Sequence, residues 1–279
     1  TEKFHSPLWA DLIATAIIVS LLAFFVTGGF RNGWRALFGS IAAFAVIALV
    51  IAVMGLDKGG LPIVDTRSWG GLLVTLVVSV TGIVASMPVG MILALGRRST
   101  IPLIRLFSIA FIEFWRGVPL ITMLFTASLL LQYFLPPQVK FDLILRVIIL
   151  VTLFSSAYIA EVIRGGLAAL PRGQYEAADA LGLDYWQAQR FIIMPQALKI
   201  SIPGIVSSFI GLFKDTTLVA FVGLADPLGG IVKIVRADIN WKGVYWEPYI
   251  FVGVIFFLIC FGMSRYSMYL ERKLKTDHR

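Results

Sequence analysis

The chain has 279 residues, 58% of them hydrophobic and 14% charged, with a formal net charge of +8 and one cysteine. Soluble domains carry about 25% charged residues, so a chain this apolar lacks the polar surface to face water and reads as membrane-embedded. Its basic residues fall in short loops between apolar runs, and no basic stripe interleaved with stacking aromatics points to nucleic acid.

The first residues, Thr1 to His5, show no basic segment leading into a signal-cleavage pattern. A spanning helix needs about 20 mainly apolar residues. By that measure seven spans are expected, at 9–29, 36–55, 71–96, 117–135, 143–163, 201–224 and 248–268. Arg31 and Arg35 separate the first two spans. Arg97, Arg98, Arg105 and Arg116 follow the third, Arg164, Arg172, Arg190 and Lys199 the fifth, and Arg272, Lys273, Lys275 and Arg279 the last. The opposite loops hold fewer cations, mixed with Asp57, Asp65, Asp142, Asp226, Asp238 and Glu247. The excess of positive charge puts the C-terminus and the 164–200 loop in the cytoplasm. Seven spans then leave Thr1 outside unless a further helix precedes it, and the sequence leaves both arrangements open. Cys260, inside an apolar run, is expected to behave as a small hydrophobe, and His5 and His278 lie at the two ends. No metal-ligand spacing is present, and no internal repeat of the kind that marks inverted-repeat carriers.

The segment from Leu170 to Asp184 is too polar to span and too patterned for a linker. Gln174 to Leu181 are mostly good helix formers, and Gly182 stands where a helix ends in the left-handed conformation. Asp184 is placed to cap a second helix, Tyr185 to Met194, with Gln187 completing a capping box and Pro195 ending it. Two short helices meeting at a tight turn make a docking shape. Ala177, Ala178 and Ala180 keep the first helix thin, and Glu176 offers a charge to a basic partner residue.

The run Glu176-Ala177-Ala178, three residues, Gly182, nine residues, then Ile192-Ile193-Met194-Pro195 resembles the EAA loop of permease subunits of ABC importers. Met194 stands where that pattern has Leu, a swap that conserves volume. Glu113 to Leu120, Tyr158 to Leu167 and Lys214-Asp215-Thr216-Thr217-Leu218 are similar to segments of polar amino-acid permeases, and Met263 to Arg272 closes the match. The likeness covers residues 71 to 270. The two spans before it resemble those of the larger permeases of general L-amino-acid importers.

The resemblance implies an all-α, polytopic type I ABC importer transmembrane fold. Residues 71–270 form a five-helix core, preceded by N-terminal helices and a periplasmic loop at 1–70 and followed by a cytoplasmic tail at 271–279. It implies a permease of the bacterial inner membrane that forms part of the pathway for amino acids delivered by a periplasmic binding protein, with alternating access driven by ATP. Glu176, Ala177, Ala178, Gly182, Ile192 and Pro195 are the implied ATPase-coupling loop. The implied partners are a dimer of ABC ATPase subunits, a second permease of related, non-identical sequence, the amino-acid-binding protein and membrane lipid. ATP and Mg belong to the ATPase and no cofactor to this chain. The sequence itself has no GxxxxGK[ST] loop and no Ser–His–Asp or Cys–His set, so enzymatic activity is not expected. The alternative is a self-sufficient channel or secondary amino-acid carrier, which needs neither the loop nor ATP.

Polar residues inside spans complete the candidate set, because each is costly in hydrocarbon. Glu161 and Arg164, three apart on one helix face, are expected to pair with each other or with the coupling loop, the alternative being a direct part in gating. Lys214 and Asp215 read as mid-span neighbours that diverge by about 100° and so need separate partners, either along a substrate pathway or at a helix or subunit interface. Ser155 and Ser156 are helix-packing hydroxyls or pathway-lining ones.

Overall fold

A computed structural model describes residues 69–130, 133, 142–244 and 246–274 of the chain. The predicted spans at 9–29 and 36–55 lie outside the described residues, as do His5, Lys140 and His278. Among the described residues regular structure is helical, apart from an isolated bridge between Gly70 and Ala225.

Four of the predicted spans appear as long helices. Helix α1 (Leu72–Arg97) and α4 (Leu143–Ala168) each have 26 residues, about 39 Å at 1.5 Å per residue, more than the hydrocarbon core requires. Asp142 caps α4 by accepting from the Ile144 N–H at 2.8 Å. Helix α7 (Met194–Asp215) tightens into a 3₁₀ turn, Thr216–Val222, α8 is the short Pro227–Gly230, and α9 is Glu247–Leu274. Among the described residues four helical stretches are long and apolar enough to cross a membrane, or five if the bent pair described next counts as one span.

Two expectations are corrected. The stretch between Arg97 and the span at 117–135, read as a connecting loop, contains a 16-residue helix, α2 (Pro102–Gly117). That helix turns through 96° into α3 (Leu120–Leu129). Pro119 lacks an N–H and pushes Val118 into extended backbone, φ −112° and ψ 133°, so the helix cannot run on. Hydropathy alone sees apolar content on both sides and misses the change of direction.

The second correction concerns Pro195, which ends no helix. The second docking helix is only α6 (Tyr185–Ala188), followed by a π-helical turn, Gln189–Ile193, that leads straight into α7. Pro195 occupies the first turn of α7, where the missing N–H is tolerated. The wider π turn before it relieves the clash a proline ring makes with the carbonyl four residues back.

Helix α4 is the hub, touching α1, α2, α3 and α7. Its most apolar stretch is 56% buried, against 6% for α9, which runs along the outside. Among the described residues the core is built in two large blocks along the bundle and a smaller cluster of Trp115, Met123 and Ala157. Leu93, Ile112, Ile159, Ile163 and Ile193 pack near one end, and Val74, Leu124, Val147, Val151 and Leu212 near the other. At the first block α4 and α7 approach so closely that a Cβ on Gly166 would lie 2.5 Å from the Ala197 carbonyl oxygen. Only glycine allows that approach, and Ser201 uses it to reach the Val162 carbonyl at 3.3 Å.

Candidate functional site

The docking segment folds as its sequence suggests, with shifted ends. Helix α5 is Arg172–Ala180. It stops in a Schellman arrangement, with Gly182 N–H bonding the Asp179 carbonyl at 2.9 Å and Leu183 N–H the Ala178 carbonyl at 3.2 Å. Gly182 has φ +69°, the left-handed conformation the turn requires. Asp184 then accepts from Gln187 N–H at 2.8 Å while the Gln187 side chain accepts from Asp184 N–H at 3.1 Å, the expected capping box. Glu176 and Ala177 are exposed, Ala178 is buried, Ile192 packs against the core and Pro195 is exposed. The result is a short helix with its charged face bare and its other face seated. Gln196 on α7 donates to Gln174 on α5 at 2.8 Å.

Beside it lies an ion cluster. Glu161, whose side chain is 15% exposed, accepts from Arg97 at 2.7 Å and from Arg164 at 2.9 Å, with Arg116 at 3.8 Å. Arg97 also holds Glu113 at 2.9 Å. The expected Glu161–Arg164 pair is therefore present within a larger group that joins α1, α2 and α4. Arg97, Glu113 and Arg116 were missed as its members. They stand 64, 48 and 45 positions before Glu161 (161−97, 161−113, 161−116), and no local spacing rule reaches that far.

The remaining candidates separate. Asp215 lines a cleft of about 220 Å³ with Phe154, Ser155, Tyr158, Ser208, Gly211 and Leu212. Among the described residues Asp215 makes no ion pair, and neither does Lys214, which is exposed and does not line the cleft. Both sit in the last turn of α7, where it tightens to 3₁₀. Ser155 donates to Ser86 on α1 at 3.3 Å and also borders the cleft. Ser156 is fully buried, donates to the Leu153 carbonyl at 2.7 Å, and does not line it. Tyr158 reads only as the start of a permease-like segment, and Ser208 and Gly211 went unremarked in the sequence. A signal existed: Gly204, Ser208, Gly211 and Asp215 recur at helical spacing on one face of α7.

Chemically the two places differ. The ion cluster is a saturated tie, whereas the cleft offers a carboxylate and hydroxyls with apolar walls, a surface able to receive a cationic group.

Residues 86–276 match the family model described as binding-protein-dependent transport system inner membrane component. The chain is 71% identical over 254 residues to the glutamate/glutamine/aspartate/asparagine transport system permease protein BztC of Rhodobacter capsulatus, covering 91% of this chain and 58% of that protein. It is 51% identical over 239 residues to the inner membrane amino-acid ABC transporter permease protein YhdY of Escherichia coli, covering 85% of this chain and 65% of that one. The chain thus spans about three fifths of the length of these two curated relatives. A crystal structure of an amino acid ABC transporter with histidines superposes with a TM-score of 0.64 at 30% identity, covering 76% of this chain and all of that chain. Inward-facing structures of the MetNI methionine ABC transporter share the fold, with a TM-score of 0.54 at 20% identity, covering 71% of this chain and 92% of that chain.

Proposed function

This chain belongs to the binding-protein-dependent transport system inner membrane component family, and from that premise we propose that it is the permease of an ATP-driven amino-acid importer. The observation that carries the reading is the docking segment: α5, the left-handed Gly182 and the capped α6 present a bare Glu176 at the end of the core helices. A paired ATPase docks there, using Glu176, Ala177, Ala178, Gly182, Ile192 and Pro195. ATP and Mg reside in that partner, and this chain is not itself an enzyme. A second permease of related, non-identical sequence and a periplasmic amino-acid-binding protein complete the assembly in lipid.

The end carrying Arg97, Arg98, Arg116, Arg164 and Arg172 faces the cytoplasm, with the C-terminus, in a bacterial inner membrane. Residues 71–270 act as the permease core, 1–70 as N-terminal spans and loop, and 271–279 as a tail. Asp215 and Ser155 face the translocation pathway through the cleft, Lys214 stands beside it, and Ser156 supports the wall from behind. The likeness to BztC makes glutamate, glutamine, aspartate and asparagine the first substrates to assay.

Reconstitution tests the reading. Proteoliposomes holding this chain with its ATPase and second permease should import amino acid only with internal ATP and external binding protein. Substituting Glu176→Lys should cut uptake about tenfold while ATP hydrolysis continues, because like charges would meet at the docking face. Robust uptake by this chain alone would replace the proposal with a self-sufficient carrier.

A further inference from the structure

Two adjacent arginines at the end of α1 reach in different directions. Arg97 enters the ion cluster on Glu161, at 2.7 Å. Arg98, the C-cap residue of α1, points to the docking helix instead. Its Nη1 donates to the Tyr175 hydroxyl at 3.0 Å and to the Leu167 carbonyl at 3.2 Å, and its guanidinium lies 5.6 Å from the Tyr175 ring centre. The Leu167 carbonyl is one of the last four of α4, which no intrahelical N–H can satisfy and where the helix dipole favours a cation. One side chain thus caps α4 and grips α5 together. Neighbouring residues on a helix diverge by about 100°, which lets one turn of α1 serve both partners.

The chain of contacts continues to the cleft. Arg116, 3.8 Å from Glu161, stacks over the Tyr158 ring at 5.6 Å, and Tyr158 forms part of the cleft wall beside Asp215. Arg116 also stands immediately before the bend at Gly117, Val118 and Pro119.

We propose that Arg98 is the positioning residue that ties the docking helix to the transmembrane core, and that Arg97 carries movement of that junction through Glu161 and Arg116 to the cleft wall. This rests on the permease reading above. The link is built to transmit: helices joined by the charge-assisted hydrogen bonds of Arg97 and Arg98, then by the longer Arg116–Glu161 ion pair and the Arg116–Tyr158 ring stack. Its output is the number of ATP molecules hydrolysed for each amino acid imported.

The complete complex, reconstituted with ATPase, second permease and binding protein, provides the test. Arg98→Met keeps an apolar stem and removes the guanidinium. It should raise ATP consumed per amino acid imported about tenfold, with yield and melting temperature of the complex unchanged. Tyr175→Phe, which removes one hydroxyl from a partly buried ring, should raise the ratio about threefold. Arg98→Lys should restore part of the coupling, and the double variant should be no worse than Arg98→Met, since both act on one contact. An unchanged ratio in Arg98→Met and Tyr175→Phe overturns the proposal, as does a ratio that rises only in step with lost complex stability. A wild-type complex that imports without ATP overturns the permease reading itself, and the relay with it.

Discussion

Glu161 and Asp215 are both carboxylates on long apolar helices, and their surroundings are opposite. Glu161 is mostly buried and holds three arginines from three helices within 4 Å. Asp215 is partly exposed, borders an open cleft, and pairs with no described residue. A carboxylate surrounded by fixed cations is spent on holding helices together, since Glu161 is itself largely out of water and needs those partly exposed arginines to offset its charge. On the permease reading proposed above, a carboxylate left open beside Ser155, Ser208 and Tyr158 is available to a group that arrives and leaves. The charged end of the bundle is thus tied together by ion pairs, while the cleft keeps an open polar wall.

The largest expected effect strikes the paired end. Glu161→Gln removes the shared negative charge and one acceptor oxygen and should cost about 2 kcal/mol, read as a fall of roughly 4–8 °C in the melting temperature of the detergent-solubilised complex. An unshifted melting temperature would mean that water or lipid phosphate satisfies the arginines, and the contrast with Asp215 would collapse. At the cleft, Asp215→Asn should leave the melting temperature alone and weaken apparent substrate affinity about tenfold, equivalent to one lost charge-assisted contact of about 1.4 kcal/mol. If assembly suffers before substrate dependence shifts, Asp215 is a structural tie and the two carboxylates are alike after all. The smallest effect belongs to the docking turn. Asp184→Ala deletes one cap and should cost about 1 kcal/mol, seen as faster proteolysis or hydrogen exchange near Tyr185 to Ala188, with the ion cluster untouched. Spread of that effect into α4 would show that the turn and the cluster form one cooperative unit.

Much of this was legible in the residues. Apolar runs marked four of the long helices because a backbone in lipid must satisfy its own hydrogen bonds, and length plus composition suffices to find such segments. Gly182 and the Asp184–Gln187 box were readable for the same kind of reason: the physics acts within four residues. The same local rules misjudged Pro195, since a proline read alone signals a stop while the π turn before it carries the helix onward. They also took α2 for a loop, because its apolar stripe is interrupted by Arg105, Glu113 and Arg116, and only packing shows that Glu113 meets Arg97 of α1 and Arg116 approaches Glu161 of α4.

By itself, then, the sequence determined where four long apolar helices form, how the docking turn closes and which family motif it carries. Only the tertiary structure decided which charges are spent and which are free. Arg97 and Glu161 meet because α1 packs along α4, and Tyr158, Ser208 and Asp215 share a cleft because α7 crosses the same helix. Partners of this kind are set by the packing of whole helices, which residue spacing along one chain does not encode.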